Sequence, residues 1–194
     1  FVDQRENRAL LERYAHGRSV LNMFCYTGGF SFYAMRGNAK LVHSVDSSSK
    51  AIDLTCKNVE LNFPGDNRHQ AFSEDAFKFL DTMGDQYDLI ILDPPAFAKH
   101  KDAKHKKVLN NALQGYRKLN AKAFEKIRPG GILFTFSCSQ VVSKENFRLA
   151  VFSAAAQSGR NVRILHQLTQ PADHPVNIYH PEGEYLKGLV LYVE

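Results

Sequence analysis

Short β-branched runs alternate with helical stretches from one end of this chain to the other, and that alternation limits the fold more than any other feature. Asp3 to His16 reads as a helix with Leu10, Leu11 and Tyr14 on one face. Arg18 to Phe24 reads as a strand, followed by a turn at Gly28-Gly29 and a helix to Arg36. Leu41 to Val45 is a second strand, Ser49 to about Leu61 a long helix, Arg68 to Phe72 a weak strand and Glu74 to Met83 a helix. Tyr87 to Leu92 (YDLIIL) is the clearest buried strand. A helix from Lys106 to Lys126 then turns at Pro129-Gly130-Gly131 into the strand Ile132 to Phe136. Lys144 to Gln157 is helical, and strands at Val162–Leu168 and Leu186–Val193 close the chain. Strands separated by helices predict an α/β fold with a mostly parallel sheet covered on both faces. Two late strands with no helix between them predict an antiparallel return at one edge.

At 194 residues the chain fits one domain, residues 1–194, able to bury roughly 70% of its unfolded surface. The longest apolar runs, such as 189–193, are far shorter than the roughly 20 residues that a membrane helix needs. No charged-then-apolar secretory signal opens the sequence. The odd, widely spaced cysteines Cys25, Cys56 and Cys138 suit neither a disulfide framework nor a zinc site, which favours a reducing cytoplasm. A net charge of +5 permits a polyanionic partner.

In a sheet of this kind ligands sit outside the carboxyl ends of the strands, so the residues just after each strand carry the chemistry. The first strand ends in Asn22-Met23-Phe24-Cys25-Tyr26-Thr27-Gly28-Gly29. Its glycines let the backbone approach a ligand, and the next helix points amide hydrogens at it. A tight strand-to-helix turn explains the glycines equally well, and the dinucleotide fingerprint G-x-G-x-x-G is absent. The second strand ends at Asp46-Ser47, 18 positions beyond Gly28, where a carboxylate can accept both ribose hydroxyls of an adenosyl group. After the third, Asp75 and the backbone of Ala76 suit an adenine amino group and ring, or simply an acidic first helical turn. The fourth strand runs into Asp93-Pro94-Pro95, whose prolines stiffen the loop that presents Asp93. Acids at three successive strand ends resemble the class I methyltransferases.

The fifth strand runs into Phe136-Ser137-Cys138-Ser139, at the same sheet edge as Asp93. A thiolate is a strong nucleophile, whereas an ordinary thiol is mostly protonated at neutral pH and often only fills space. Carbon-5 of a pyrimidine is too weakly nucleophilic to take a methyl from a sulfonium, and thiolate addition at carbon-6 activates it. Methylation of a nitrogen needs no such step. A cysteine here therefore points to pyrimidine carbon methylation, with inert packing as the alternative. Lys99 to Lys107 carries five lysines that can bind phosphates or form a solvated charge run. His174 is a candidate base or a capped loop residue, and Lys187, at the start of the last strand, is a candidate to approach the active site.

The segments DQRENR (3–8), NMFCYTGGF (22–30), VDSSSKAIDLTCKNVELN (45–62), DLIILDPPAF (88–97), GGILFTFSCS (130–139), ADHPV (172–176) and PEGEYLKG (181–188) together resemble the bacterial 23S ribosomal RNA cytosine-5 methyltransferases of the RlmI type. The resemblance implies a Rossmann-like class I methyltransferase fold, seven-stranded, with the last strand antiparallel and helices on both faces. It implies S-adenosyl-L-methionine over Asn22, Phe24, Tyr26, Thr27, Gly28, Asp46, Ser47, Asp75 and Ala76, with Asp93 beside the methyl and Cys138 as nucleophile. It also implies ribosomal RNA as substrate and an upstream PUA-like RNA-binding domain, which makes this chain the C-terminal part of a longer protein. The loop 96–107 is richer in lysine than is typical of that family. A second cysteine, which many other RNA cytosine-5 methyltransferases carry after the fourth strand, is replaced by DPPAF, so Asp93, Lys187 or a water is left to remove the carbon-5 proton. The sequence leaves the oligomeric state open, a homodimer being one option. Competing readings keep the fold but act on a guanine nitrogen or a protein side chain, or bind ribosomal RNA without catalysis. A dinucleotide oxidoreductase comes last.

Overall fold

The strand β4 (Leu89–Leu92) is buried at every position, and its four residues alternate between two cores. Ile90 and Leu92 face one, Leu89 and Ile91 the other. A strand apolar on both sides needs cover on both sides, which is what helices connecting parallel strands provide. In a computed structural model, which describes residues 1–84, 87–97 and 105–194, that cover is divided by chain order. Helices α1 (Arg5–Ala15), α2 (Gly29–Arg36) and α3 (Ser49–Asn62) supply the core on the Leu89 side. Helices α4 (Ala76–Thr82), α5 (His105–Lys126) and α6 (Lys144–Ser158) supply the core on the Ile90 side.

The remaining strands are β1 (Ser19–Met23), β2 (Leu41–Asp46), β3 (His69–Ser73), β5 (Gly131–Ser137), β6 (Val162–Leu168) and β7 (Lys187–Val193). They form one seven-stranded sheet in the order β3-β2-β1-β4-β5-β7-β6. All pairs from β3 to β5 are parallel, and β7 is antiparallel to both β5 and β6. The fold class expected from the alternation is thus the one observed. The antiparallel return lies at one end, with β6 outermost and β7 one place inward. Composition explains that order: β7 is apolar at nearly every position and buried on both faces, whereas β6 carries Arg163, His166 and Gln167 and leaves most of its residues partly or fully exposed. An irregularity at Ile164/His166 further interrupts the edge strand.

Local signals set the helix starts. Ser48 caps α3 by accepting from the Ala51 amide at 3.4 Å, Asp75 caps α4 from Lys78 at 3.0 Å, and Ser143 caps α6 from Asn146 at 3.1 Å. Chain direction reverses between β1 and β4: β1 leads outward to β2 and β3, and β4 leads the other way to β5. The carboxyl ends of these two central strands are therefore the switch point, where α/β sheets open a crevice. No helix among the described residues is long and apolar enough to cross a membrane.

Candidate active site at the switch point

The turn leaving β1 is backbone-strained. Phe24 (φ 57°), Tyr26 (φ 50°) and Gly28 (φ 85°) all lie in the left-handed region, which side-chain-bearing residues occupy only when their surroundings hold them there. Asp46, the last residue of β2, supplies much of that hold. Its Oδ2 accepts from the Tyr26 amide and its Oδ1 from the Ser48 amide, both at 2.9 Å. From α3, the Thr55 hydroxyl donates to the Tyr26 carbonyl at 2.9 Å and the Asn58 amide to the Thr27 carbonyl at 3.3 Å. Gly28 then caps α2 against Thr55 and Phe32, in space that no β-carbon could share.

This turn forms one side of a cavity of about 540 Å³, within the range of small-molecule sites. Phe24, Tyr26, Thr27, Asp46, Ser47, Asp93 and Cys138 all line it. Four other residues expected at the cofactor stand outside that lining. Asn22 is only 1% exposed and donates to Ser31 Oγ at 2.9 Å. Gly28 sits behind the turn, Asp75 is the α4 cap, and Ala76 is buried in the core.

The opposite wall is not singled out residue by residue in the sequence, although all of it except Phe1 lies in DQRENR and in PEGEYLKG. Phe1, Asp3 and Gln4, from a short 3-10 turn and its cap (turn Val2–Gln4), join Arg8, Tyr185 and Leu186 there. The Phe1 ring meets that of Tyr26 with centroids 5.4 Å apart, and Arg8 donates to the Phe1 carbonyl at 2.8 Å. The Arg8 side chain also closes over Gly29, where a β-carbon would meet its Cδ at 3.3 Å. Tyr185 donates to Asp3 Oδ2 at 2.8 Å and lies 3.2 Å from His174 Nε2. Asp3 Oδ1 is buried without a hydrogen-bond partner among the described residues. Only the two motifs' long-range meeting makes this wall, so no local pattern signals it.

Electrostatics separate the groups at the bottom of the cavity. Burial pushes the Asp93 carboxyl up to about 7, reinforced by the Asp3 carboxylate and opposed by the Gln4 amide and Arg8. Burial also raises the Cys138 thiol; Asp93 adds to that rise and Lys187 counters it. Cys138 Sγ lies 4.0 Å from the Pro94 carbonyl, so the loops after β4 and β5 meet. Beneath them Ser137 donates to the Tyr116 hydroxyl at 2.9 Å, and burial holds that phenol up at about 12. His174 lines a separate, smaller hollow. Of the lysine-rich stretch 99–107, residues 99–104 lie outside the described residues.

These surroundings suit S-adenosylmethionine. Asp46 and Arg8 both line the cavity, where the carboxylate would be able to accept from a ribose diol and the guanidinium to pair with a carboxylate. Asp3 Oδ1, a buried acceptor with no partner among the described residues, would match a cationic donor. A family model described as S-adenosylmethionine-dependent methyltransferase matches residues 1–183. The chain is 44% identical, over 98% of its length, to the ribosomal RNA large subunit methyltransferase I of Aeromonas hydrophila, and 45% identical over 98% to that of Tolumonas auensis. It spans 48% of the length of each. The crystal structure of SMU.776, assigned as a methyltransferase and complexed with SAH, superposes over 100% of this chain and 50% of its own, with a TM-score of 0.85 and 27% identity.

Proposed function

The chain belongs to the S-adenosylmethionine-dependent methyltransferase family, and from that premise we propose that it methylates carbon-5 of a cytosine in 23S ribosomal RNA through a covalent adduct with Cys138. The observation that carries this reading is the position of Cys138: it lines the same cavity as Asp93 and the Asp46-clamped turn. The kinship with the Aeromonas and Tolumonas ribosomal RNA large subunit methyltransferases I supports a large-subunit ribosomal RNA as substrate, and the net charge of +5 suits a polyanion.

The cofactor supplies an electrophilic methyl on a sulfonium. The chain's own groups prepare the acceptor. Cys138 thiolate adds to carbon-6 of the ring, forming a C–S bond and moving the carbon-5/carbon-6 π pair so that carbon-5 becomes nucleophilic. Asp93, raised to about 7, keeps its proton on much of the protein at neutral pH. In that neutral form it no longer opposes the thiolate and can donate to the ring nitrogen that takes up charge. Once carbon-5 carries the methyl, loss of its proton restores the double bond and expels Cys138 as thiolate. Ionised Asp93 or a water can take that proton.

Incubation with a 5-fluorocytosine-substituted 23S fragment tests the covalent step, because fluorine cannot leave as a proton does. A stable protein–RNA adduct is expected, absent in Cys138→Ala. That substitution should lower methyl transfer at least 1,000-fold, a loss of about 4 kcal/mol in transition-state stabilisation, while cofactor affinity by calorimetry stays within about twofold. Undiminished transfer by Cys138→Ala would sink the mechanism and point to a guanine nitrogen or a protein side chain as acceptor.

A further inference from the structure

Lys187 opens β7 directly opposite Ser137, the residue before Cys138. Its side chain is buried at 5% exposure, and it lies outside the cavity lining. Nζ donates to the Ser139 carbonyl at 2.5 Å and to the Val142 carbonyl at 2.7 Å. Both acceptors belong to the segment that leaves β5 immediately after Cys138. A buried ammonium is expensive unless its protons find acceptors, and an apolar residue of similar length would fill the same space without that penalty. The retained charge therefore calls for a use.

We propose that Lys187 is the positioning residue of Cys138: it pins the turn that carries the thiol through two backbone carbonyls and, while protonated, sets a positive charge within electrostatic reach of the thiol. The inference rests on the nucleophile reading above, yet it concerns a property of the thiol alone. Two of the three ammonium protons go to these carbonyls, so in its charged form Lys187 acts here as a donor to the Cys138 turn.

The charged and titratable neighbours act in a definite pattern. On Cys138, Asp93 from the end of β4 disfavours the thiolate and Lys187 from β7 favours it. Tyr116 of α5 and Tyr185 ahead of β7 also lie within electrostatic reach of the thiol. On Lys187, burial lowers the ammonium to about 8, Cys138 and Glu184 support the charge, and Lys144 of α6 opposes it.

The test needs neither RNA nor methyl donor. Alkylation of Cys138 by iodoacetamide is followed against pH by peptide mass spectrometry, which resolves it from Cys25 and Cys56. In Lys187→Met the midpoint should rise by about one pH unit, so that alkylation at pH 7.5 slows about tenfold. In Lys187→Arg, which keeps the charge, the midpoint should stay at or below that of the wild type. An unmoved midpoint in Lys187→Met, with only the plateau rate changed, would overturn the electrostatic role. Should Lys187→Met fail to fold, the Arg variant decides: a midpoint above the wild-type value refutes the proposal. A shifted midpoint together with full methylation by Cys138→Ala would leave Lys187 as the partner of the thiol and remove the nucleophile reading.

Discussion

At the scale of single residues, the carboxylates at the strand ends show how differently similar side chains are used. Asp46 spends an oxygen on each of two backbone amides, Asp75 caps a helix, and Asp93 is held near neutrality by burial and by Asp3. The sequence places each acid after its strand, but it does not reveal which way the side chain points or what already occupies its lone pairs. Asn22 makes the same point, because it sits inside β1 and turns into the α2 side of the sheet to meet Ser31. Asp93 also makes a prediction about stability. Its folded pKa of about 7 exceeds the unfolded value of about 3.9. Its contribution is therefore fully present below pH 4 and is lost as pH rises through 7, because the unfolded chain ionises first. Relative to the wild type, Asp93→Asn should gain stability steadily between pH 4 and pH 7 and no further above that, by at most about 4 kcal/mol. Urea unfolding at a series of pH values reads this directly, and a constant difference across the range would contradict it.

At the scale of elements, strand and helix existence was legible nearly everywhere, because hydrophobic period and cap residues are local. β4 and α3 match their expected spans to within two residues, and Ser48 and Ser143 fall where capping chemistry requires. The glycine turn after β1 looked ambiguous because its purpose is set by α3, a helix that comes later in the chain. Gly28 combines φ 85° with a site where a β-carbon would lie 2.8 Å from Thr55 Cγ2 and 2.9 Å from the Phe32 ring. Gly28→Ala should cost about 2–4 kcal/mol, combining the left-handed penalty with overpacking. A denaturant midpoint shifted accordingly, with weakened cofactor binding, is the expected result; an unchanged midpoint would show that the turn relaxes freely.

At the scale of the whole molecule, the sheet order decides both stability and the site. The central strands β1, β4 and β5 and the inserted β7 are buried along nearly their full length, while β3 and β6 close the two ends with mixed exposure. Hydrogen exchange should follow that gradient, with amides of β4 and β5 the slowest and those of β3 and β6 opening by smaller, local events. Protection at β6 equal to that at β4 would mean that the sheet opens only as one unit. The sequence by itself determined the α/β class, the crevice-forming strand ends and the cysteine among them, because periodicity, capping and motif spacing are properties of short segments. Tertiary structure alone decided that β7 lies inward of β6, that DQRENR and Tyr185 wall the cavity, and that Lys187 reaches under the Cys138 turn. Each of these is a contact between residues tens to nearly two hundred positions apart, fixed by strand order and burial and carried by no local pattern.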